Sequence, residues 1–249
     1  MPNFLAQIGE LAHFAFQALP AAVAAIGRPR AVLAQLYDIL IGALPLGVVA
    51  GITLGAVVWM HTHSILKRTG AADYLPTVLA AAVLLELAPI GAGLIVASRT
   101  GANLAAELGA MKTGEQLDAL AMLGVSPLRE LVGPRVLACM VALPLLEILI
   151  GAVALGSGFV AENVVGRTTW LQYQSACLRE LRAADAVPAC LKTVAFGFLI
   201  AVAGCYHGFR TEGGAEGVGR AATAGVVAAC LLVLASDIFL VGLIRIVFG

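Results

Sequence analysis

The chain alternates long apolar stretches with short polar connections, and five of the apolar stretches are long enough to cross a membrane. About 20 helical residues, each rising 1.5 Å, span the roughly 30 Å of hydrocarbon in a bilayer. Because lipid offers the backbone no hydrogen-bond partners, we predict that all five are helices rather than strands. They cover residues 39–60, 75–98, 131–160, 186–206 and 221–244.

The first 30 residues have a different pattern, in which polar side chains interrupt the apolar ones at intervals. This pattern predicts an amphipathic helix that lies in the membrane interface, and a sixth crossing is the alternative. The interruptions are Gln7, Glu10, His13 and Gln17, and the pattern ends at Gly27-Arg28-Pro29-Arg30. We therefore expect one membrane domain over residues 1–249, with an interfacial helix in residues 1–30 and a transmembrane bundle over residues 39–248.

Residues 113–123, between the second and third spans, predict a short polar helix where a plain connection would need only a few loop residues. Thr113 and Gln116 have the spacing of a capping box at a helix start. Glu115 falls in the first turn, where the helix dipole favours a negative charge. Such a helix suggests a surface that another molecule in the aqueous phase binds.

The two faces of this predicted helix differ in polarity. Leu117, Leu120 and Ala121 follow helical spacing and form one apolar stripe. Glu115 and Asp118 project elsewhere and are available to dock into a cleft on a partner. The alternative, on these residues alone, is a charged face that is simply solvated.

Composition places the chain in a membrane and excludes several functions. It is 61% hydrophobic and 12% charged, against about 25% charged in a soluble domain. Lys+Arg and Asp+Glu are 15 each, so no basic surface for nucleic acid is expected. Residues 109–115 superficially resemble a phosphate-binding loop, but Glu115 stands where the lysine belongs and no strand precedes it. We expect no catalytic site, metal or cofactor, so energy must come from another subunit or an ion gradient.

Carboxylates inside predicted spans are the strongest candidates for a functional site. Glu86 lies in the middle of the second span, where an ionised group costs about 2.5–3.5 kcal/mol on insertion scales. It is therefore expected to face protein or water, either binding a lipid headgroup or pairing with a basic residue. Asp237 in the last span is a similar case, for which pairing is favoured, and Glu147 in the third span can join either network.

Polar side chains also mark the two ends of the spans. His61 and His63 follow the first span, and positions two apart on a helix do not share a face, so a metal site is not expected. They are predicted to lie at headgroup depth, with a phosphate contact as the alternative. Arg99 and Glu107 are predicted to frame the opposite exit. Repeated glycines in the first span (Gly47, Gly51 and Gly55) predict a close helix interface, either dimeric or within the chain.

A dense series of short motifs runs over residues 86–135. The motifs are Glu86-Leu87-Ala88-Pro89, Ser98-Arg99-Thr100-Gly101, Ala105-Ala106-Glu107-Leu108-Gly109, Met111, Glu115-Gln116-Leu117-Asp118-Ala119-Leu120, Gly124-Val125-Ser126-Pro127-Leu128-Arg129 and Pro134-Arg135. This series is similar to the signature of the MlaE-type permeases, which are the membrane subunits of MCE-associated ABC transporters that move phospholipids and related lipids. Gln35-Leu36-Tyr37-Asp38 and Gly219-Arg220-Ala221 also resemble family motifs.

Three departures from the family pattern bear on the cargo. Leu85 stands where the family has an arginine, and Ala88 stands where it has a glycine. His61-Thr62-His63 takes the place of an aromatic residue. Without an arginine next to Glu86, the headgroup role of this carboxylate gains over the paired role.

The resemblance implies a fold and an assembly. It implies an interfacial helix, five transmembrane helices and a cytoplasmic coupling helix at residues 113–123, in an inner-membrane homodimer that binds two ATPase subunits and a periplasmic MCE-domain protein. The basic residues fall almost equally on both sides, so only the coupling helix sets the orientation. ATP hydrolysis would belong to the partner, and phospholipid would be the cargo.

The resemblance also assigns residues to the two sites. The implied coupling residues are Glu115, Gln116, Asp118, Ala119 and Leu120. The implied lipid cavity is formed by Leu54, Val58, His61, Leu85, Glu86 and Asp237. The alternatives are an ion-coupled secondary transporter that uses Glu86 and Asp237 as a proton relay, or a structural membrane scaffold.

Overall fold

The computed structural model describes residues 4–165, 169–180 and 183–248, which are almost entirely helical with no strand among them. Six of these helical segments are long and apolar enough to cross a membrane, which confirms the predicted all-α membrane fold. The sixth is the N-terminal helix, whose interfacial position stays a prediction. The helices are α1 (Phe4–Ala25), α2 (Pro29–Thr69), α3 (Leu75–Ala82), α4 (Ala88–Val96), α5 (Ala102–Thr113), α6 (Gln116–Met122), α7 (Gly133–Val165), α8 (Trp170–Glu180), α9 (Ala183–Phe209) and α10 (Gly214–Phe248).

The helices extend beyond the apolar stretches that predicted them, as α2 illustrates. Pro29 begins it, in the first turn where a missing N–H costs nothing. Gly70, with φ 73°, ends it in the left-handed conformation after Lys67 and Arg68. Its 41 residues measure about 60 Å, twice the hydrocarbon thickness. The predicted spans were correct in position but too short, because hydropathy marks only the length of helix that lies in the hydrocarbon.

The second span is one helical rod from Ala72 to Thr113 that includes two π-helical turns. Val83–Leu87 separates α3 from α4, and Ala97–Gly101 separates α4 from α5. A third π-helical turn, Leu128–Val132, leads into α7. Such turns are rare and occur frequently at functional sites. Glu86 lies in the first and Arg99 in the second.

α7 and α9 form the centre of the bundle, with α2 packed along α7 and α10 along α9. The repeated glycines of α2 make the first of these interfaces close. A Cβ on Gly55 would lie 2.0 Å from the Ala154 carbonyl oxygen, and the Ser157 hydroxyl donates to the Ile52 carbonyl at 3.1 Å. The glycines therefore pack against another helix of the same chain, as the second of the two predicted interfaces, dimeric or within the chain, requires.

α1 packs across the end of the bundle where α7 begins and α9 finishes. A Cβ on Gly133 would lie 2.3 Å from the Ala21 carbonyl oxygen, so the two helices touch backbone to backbone. Phe14 contacts the Tyr206 ring with centroids 5.9 Å apart. Glu10 and Arg210 form an ion pair at the same end. These contacts fix α1 against this end of the bundle.

Candidate functional site

The segment between the second and third spans folds differently from its predicted start. α5 continues through Thr113, whose hydroxyl donates to the Ala110 carbonyl at 3.1 Å. The capping box between Thr113 and Gln116 is therefore wrong. Gly114 follows α5, Glu115 takes a left-handed φ of 57°, and the short helix α6 starts only at Gln116. The chain turns sharply at Gly114 and Glu115, so Thr113 belongs to the preceding helix.

α6 projects from the bundle and is held to α5 by one ion pair. Lys112 Nζ lies 3.0 Å from both carboxylate oxygens of Asp118. Of the residues in the predicted apolar stripe, Leu117 is buried, Leu120 is half-buried and Ala121 is exposed, so the stripe packs against the protein only in part. The predicted coupling residues Glu115, Gln116, Asp118 and Ala119 are all exposed.

Two large apolar side chains on this segment escaped the sequence analysis. Met122 is 85% exposed and Leu123 is 76% exposed, at the end of α6. Neither belongs to the apolar stripe of Leu117, Leu120 and Ala121, so the helical periodicity did not point to them. Adjacent Met and Leu side chains that are both exposed are typical of a surface that a partner covers.

The carboxylates of the second and last spans meet at one buried lysine, Lys192 of α9. Its side chain is 2% exposed, and its Nζ lies 2.8 Å from Glu86 Oε2 and 2.8 Å from Asp237 Oδ1. The contact with Asp237 is an ion pair by distance, without hydrogen-bond geometry. Lys192 also donates to the Leu85 carbonyl at 3.2 Å. The paired arrangement is thus the one present for both Glu86 and Asp237.

Pairing leaves Glu86 partly accessible. Its side chain is 44% exposed, whereas that of Asp237 is largely buried. Glu147 of α7 joins the same region, because Thr193, next to Lys192 in the chain, donates to Glu147 Oε2 at 2.8 Å. The sequence analysis missed Lys192 as the partner, although a lysine in an apolar span must find a counter-ion.

The remaining predicted cavity residues lie on α2. Leu54 and Val58 are half-buried against the core, and Leu54 lies over Gly91 of α4, where a Cβ would be 3.7 Å from Leu54 Cδ1. His61 is exposed. Lys192 therefore brings Leu85, Glu86 and Asp237 together, while Leu54, Val58 and His61 lie along α2, which also packs against the turn Val83–Leu87.

A second polar cluster occupies the end of α2 beyond Val58. Trp59 Nε1 donates to Glu162 Oε2 of α7 at 2.7 Å, and His63 Nδ1 lies 3.7 Å from the same oxygen. The Trp59 and His63 rings stack with centroids 4.8 Å apart. This cluster ties α2 to α7 at that end of the bundle.

Arg99 and Glu107, predicted to frame an exit, line one cavity between α2 and α5, hereafter the α2–α5 cavity. Its volume is about 600 Å³, and Asp38, Gly42 and Asn103 line it as well. Glu107 Oε1 accepts a hydrogen bond from Arg135 Nη2 at 2.6 Å. The polar lining distinguishes this cavity from the apolar groove between α1 and α9.

Comparison with known proteins agrees with the helical architecture. A family model described as Permease MlaE matches residues 32–243. The chain is 32% identical over 235 residues to a probable ABC transporter permease protein of Rickettsia typhi, covering 94% of this chain and 91% of that one. It is 35% identical over 195 residues to a probable ABC transporter permease protein of Synechocystis, covering 77% and 74%.

A plant relative is also similar. The chloroplast protein named Trigalactosyldiacylglycerol 1, from Arabidopsis thaliana, is 36% identical over 173 residues, which cover 70% of this chain and 49% of that protein. These matches confirm the predicted family and support a multi-pass membrane subunit of an ABC transporter over an ion-coupled carrier or a scaffold. The chain belongs to the MlaE permease family.

Proposed function

We propose that this permease moves phospholipids or related lipids, as a homodimer in the inner membrane that binds two cytoplasmic ATPase subunits and a periplasmic MCE-domain protein. An ABC transporter permease implies an ATPase partner, and hydrolysis belongs to that partner. The lipid cargo is supported by the family and by a relative whose name is that of a galactolipid. The observation that carries the proposal is the short helix α6, which projects from the bundle with exposed apolar side chains beside it.

α6 is suited to pass motion from an ATPase to the second span. The Lys112–Asp118 ion pair joins it to α5. α5 is the end of the rod that runs from Ala72 to Thr113 and carries Glu86. A displacement of α6 therefore acts on the same rod that holds the charged cluster, without a flexible loop between them.

The lipid site is proposed to form where α2 and α10 meet their copies in a dimer. Both helices expose large apolar side chains, such as Val49 and Ile52 on α2 and Leu231 and Ile238 on α10. A second copy would cover these faces and leave a cavity with apolar walls for acyl chains. The accessible side of Glu86 is the polar group proposed to face a headgroup there. Collapse of the cavity after ATP binding would expel the lipid.

The coupling assignment is tested with Met122→Glu combined with Leu123→Glu, measured by co-purification of the ATPase with the permease. Charges at these positions should abolish docking into an apolar cleft without affecting the bundle, because both side chains are exposed. Leu171→Glu on α8, at a side chain of similar exposure (77%), is the matched control. Stoichiometric ATPase on the doubly substituted permease would refute the assignment.

The lipid assignment is tested separately with photo-crosslinkers. Probes at Leu54, Val58 and His61 in the detergent-purified dimer should label co-purified phospholipid more strongly than a probe at Leu199 on α9. Equal labelling at all four positions would show that α2 does not line the cargo site.

A further inference from the structure

The α2–α5 cavity holds two opposite charges that have no partner among the described residues. Asp38 of α2 and Arg99 of the second π-helical turn both line it, and neither forms an ion pair or a side-chain hydrogen bond within that part of the chain. The third charge, Glu107, is already bound to Arg135. A charge inside a membrane span ordinarily pairs with another charge or marks a ligand pathway, which applies to Arg99, whereas Asp38 is exposed just before the first apolar stretch.

Arg99 fits into the cavity because Gly42 of α2 has no side chain. Its Nη1 lies 1.0 Å from the position that a Cβ on Gly42 would take, so the guanidinium rests directly on the glycine backbone. Asp38 is one helical turn earlier on the same face of α2. The cavity therefore presents a guanidinium and a carboxylate along one face, separated by about one turn of helix.

The position of the cavity along α2 indicates that it lies near the depth of lipid headgroups. Asp38 directly precedes the first apolar stretch, residues 39–60. Tyr37, a residue type enriched at membrane–water interfaces, is exposed beside it, and so is Ile41, one turn further on. Both line the cavity, so it opens sideways toward lipid as well as toward water. Its volume of about 600 Å³ falls within the range of small-molecule sites.

We propose that the α2–α5 cavity binds the headgroup of a zwitterionic phospholipid, with Arg99 on the phosphate and Asp38 on the ammonium group. A guanidinium matches two phosphate oxygens at once. An ammonium offers three donors, which suit the carboxylate of Asp38 and the Asn103 side-chain oxygen. This inference rests on the proposed function, and it adds a headgroup-selective site at the second π-helical turn of the second span, whereas Glu86 lies in the first.

Charge balance distinguishes this ligand from an anionic lipid. The described lining holds Arg99, Asp38 and Glu107, of which Glu107 is neutralised by Arg135. One positive and one negative charge remain. An anionic headgroup would leave Asp38 next to a second negative charge, whereas a zwitterion satisfies both.

The experiment places a photo-crosslinker at Ile41 in the dimer reconstituted into nanodiscs of equimolar phosphatidylethanolamine and phosphatidylglycerol, and identifies the attached lipid by mass spectrometry. We expect phosphatidylethanolamine to be enriched in the adduct. Asp38→Asn should lower this enrichment about tenfold, because one charged hydrogen-bond partner of the ammonium is lost. Arg99→Gln should lower the yield of both adducts by a similar factor, and Arg99→Lys should restore part of it.

Three further variants keep the test independent of folding defects. Gly42→Ala retains every charge but displaces the guanidinium, so it should reduce adduct yield while Arg99 remains. Asp73→Asn and Arg30→Gln make the same chemical changes at exposed positions outside the cavity and should have no effect.

An adduct with the same lipid composition as the bilayer would overturn the inference, as would an enrichment that Asp38→Asn leaves unchanged. Either result would mean that Asp38 and Arg99 have only a structural role and do not bind a lipid headgroup. Lipid labelling at Leu54 and Val58 in the same preparation separates this failure from failure of the proposed function. If those probes label lipid while Ile41 is unselective, only the headgroup site is rejected.

Discussion

Neutralising the three members of the Lys192 cluster one at a time should produce three different losses of stability. Lys192→Met removes the cation that both carboxylates contact, in a site where the lysine is 2% exposed. Breaking a buried ion pair in this way costs about 3–5 kcal/mol, because the remaining charges are left uncompensated. We expect this variant to be the least stable of the three.

Glu86→Gln should cost far less, about 0–1 kcal/mol, as for a surface ion pair. Glu86 is 44% exposed against 12% for Asp237, so its contact with Lys192 is the less buried of the two, and the lysine keeps both Asp237 and the Leu85 carbonyl. Asp237→Asn should fall between, since Asp237 is largely buried but Lys192 retains Glu86. The predicted order of thermal stability is therefore wild type and Glu86→Gln first, Asp237→Asn next and Lys192→Met last.

The assay measures thermal unfolding in one detergent and lipid movement after reconstitution, on the same preparation. Glu86→Gln should give normal membrane levels and a normal dimer but impaired lipid movement. If it unfolds as readily as Lys192→Met, Glu86 belongs to the structural network and the reasoning from its exposure is refuted. Intact folding with full transport would instead remove Glu86 from the lipid site.

Three other changes test the packing and the buried groups. Gly55→Leu should destabilise the bundle by about 1–3 kcal/mol or more, because its Cβ would lie 2.0 Å from a backbone carbonyl oxygen of α7. Gly156→Leu, where the side chain has open space, is the control in thermal unfolding, and equal stability of the two variants would contradict the close interface. Thr193→Val should lower stability by about 1–3 kcal/mol by leaving buried Glu147 without its hydrogen bond, and an unchanged unfolding temperature would contradict this. Burial raises the pKa of Cys177 to about 11, so in a variant with this sole cysteine the alkylation of its thiol should be slow at pH 8 and accelerate toward pH 11. An alkylation rate that reaches its plateau near pH 9 would contradict the raised pKa, and unfolding in dodecyl sulfate should make the thiol react fast at pH 8.

The positions of the spans follow from the sequence because hydrophobicity and helix length are local properties. The limits of the spans did not follow, since helices such as α2 continue past the hydrocarbon into regions where apolar residues are no longer required. The turn at Gly114 and Glu115 also escaped prediction. Thr113 and Gln116 have capping-box spacing, but that spacing does not reveal that the preceding helix still includes Thr113.

The charged site shows a different limit. Each carboxylate could be recognised because an ionised group inside an apolar span has a high free-energy cost, and Lys192 could have been recognised for the same reason. Which charges meet depends on how α9 packs between the second span and α10, and no local pattern encodes a contact between residues 86 and 192. The sequence therefore predicted Glu86 and Asp237 as special residues but missed Lys192 as the residue that joins them.

The π-helical turns of the second span make its tolerance of deletions depend on position in a way that its hydropathy conceals. A π-helical turn accommodates one residue more than the α-helix around it, so removing one residue from Val83–Leu87 would convert the turn to ordinary α-helix. Because the turn already absorbs that extra residue, α4 and α5 would keep nearly the same faces toward their neighbours. A deletion inside α4, before Gly93, would instead rotate the helix beyond it by about 100° and move Gly93 away from Phe196 and Val233. Both shortened spans would still be read as membrane helices, but only the second would present the wrong face to its neighbours.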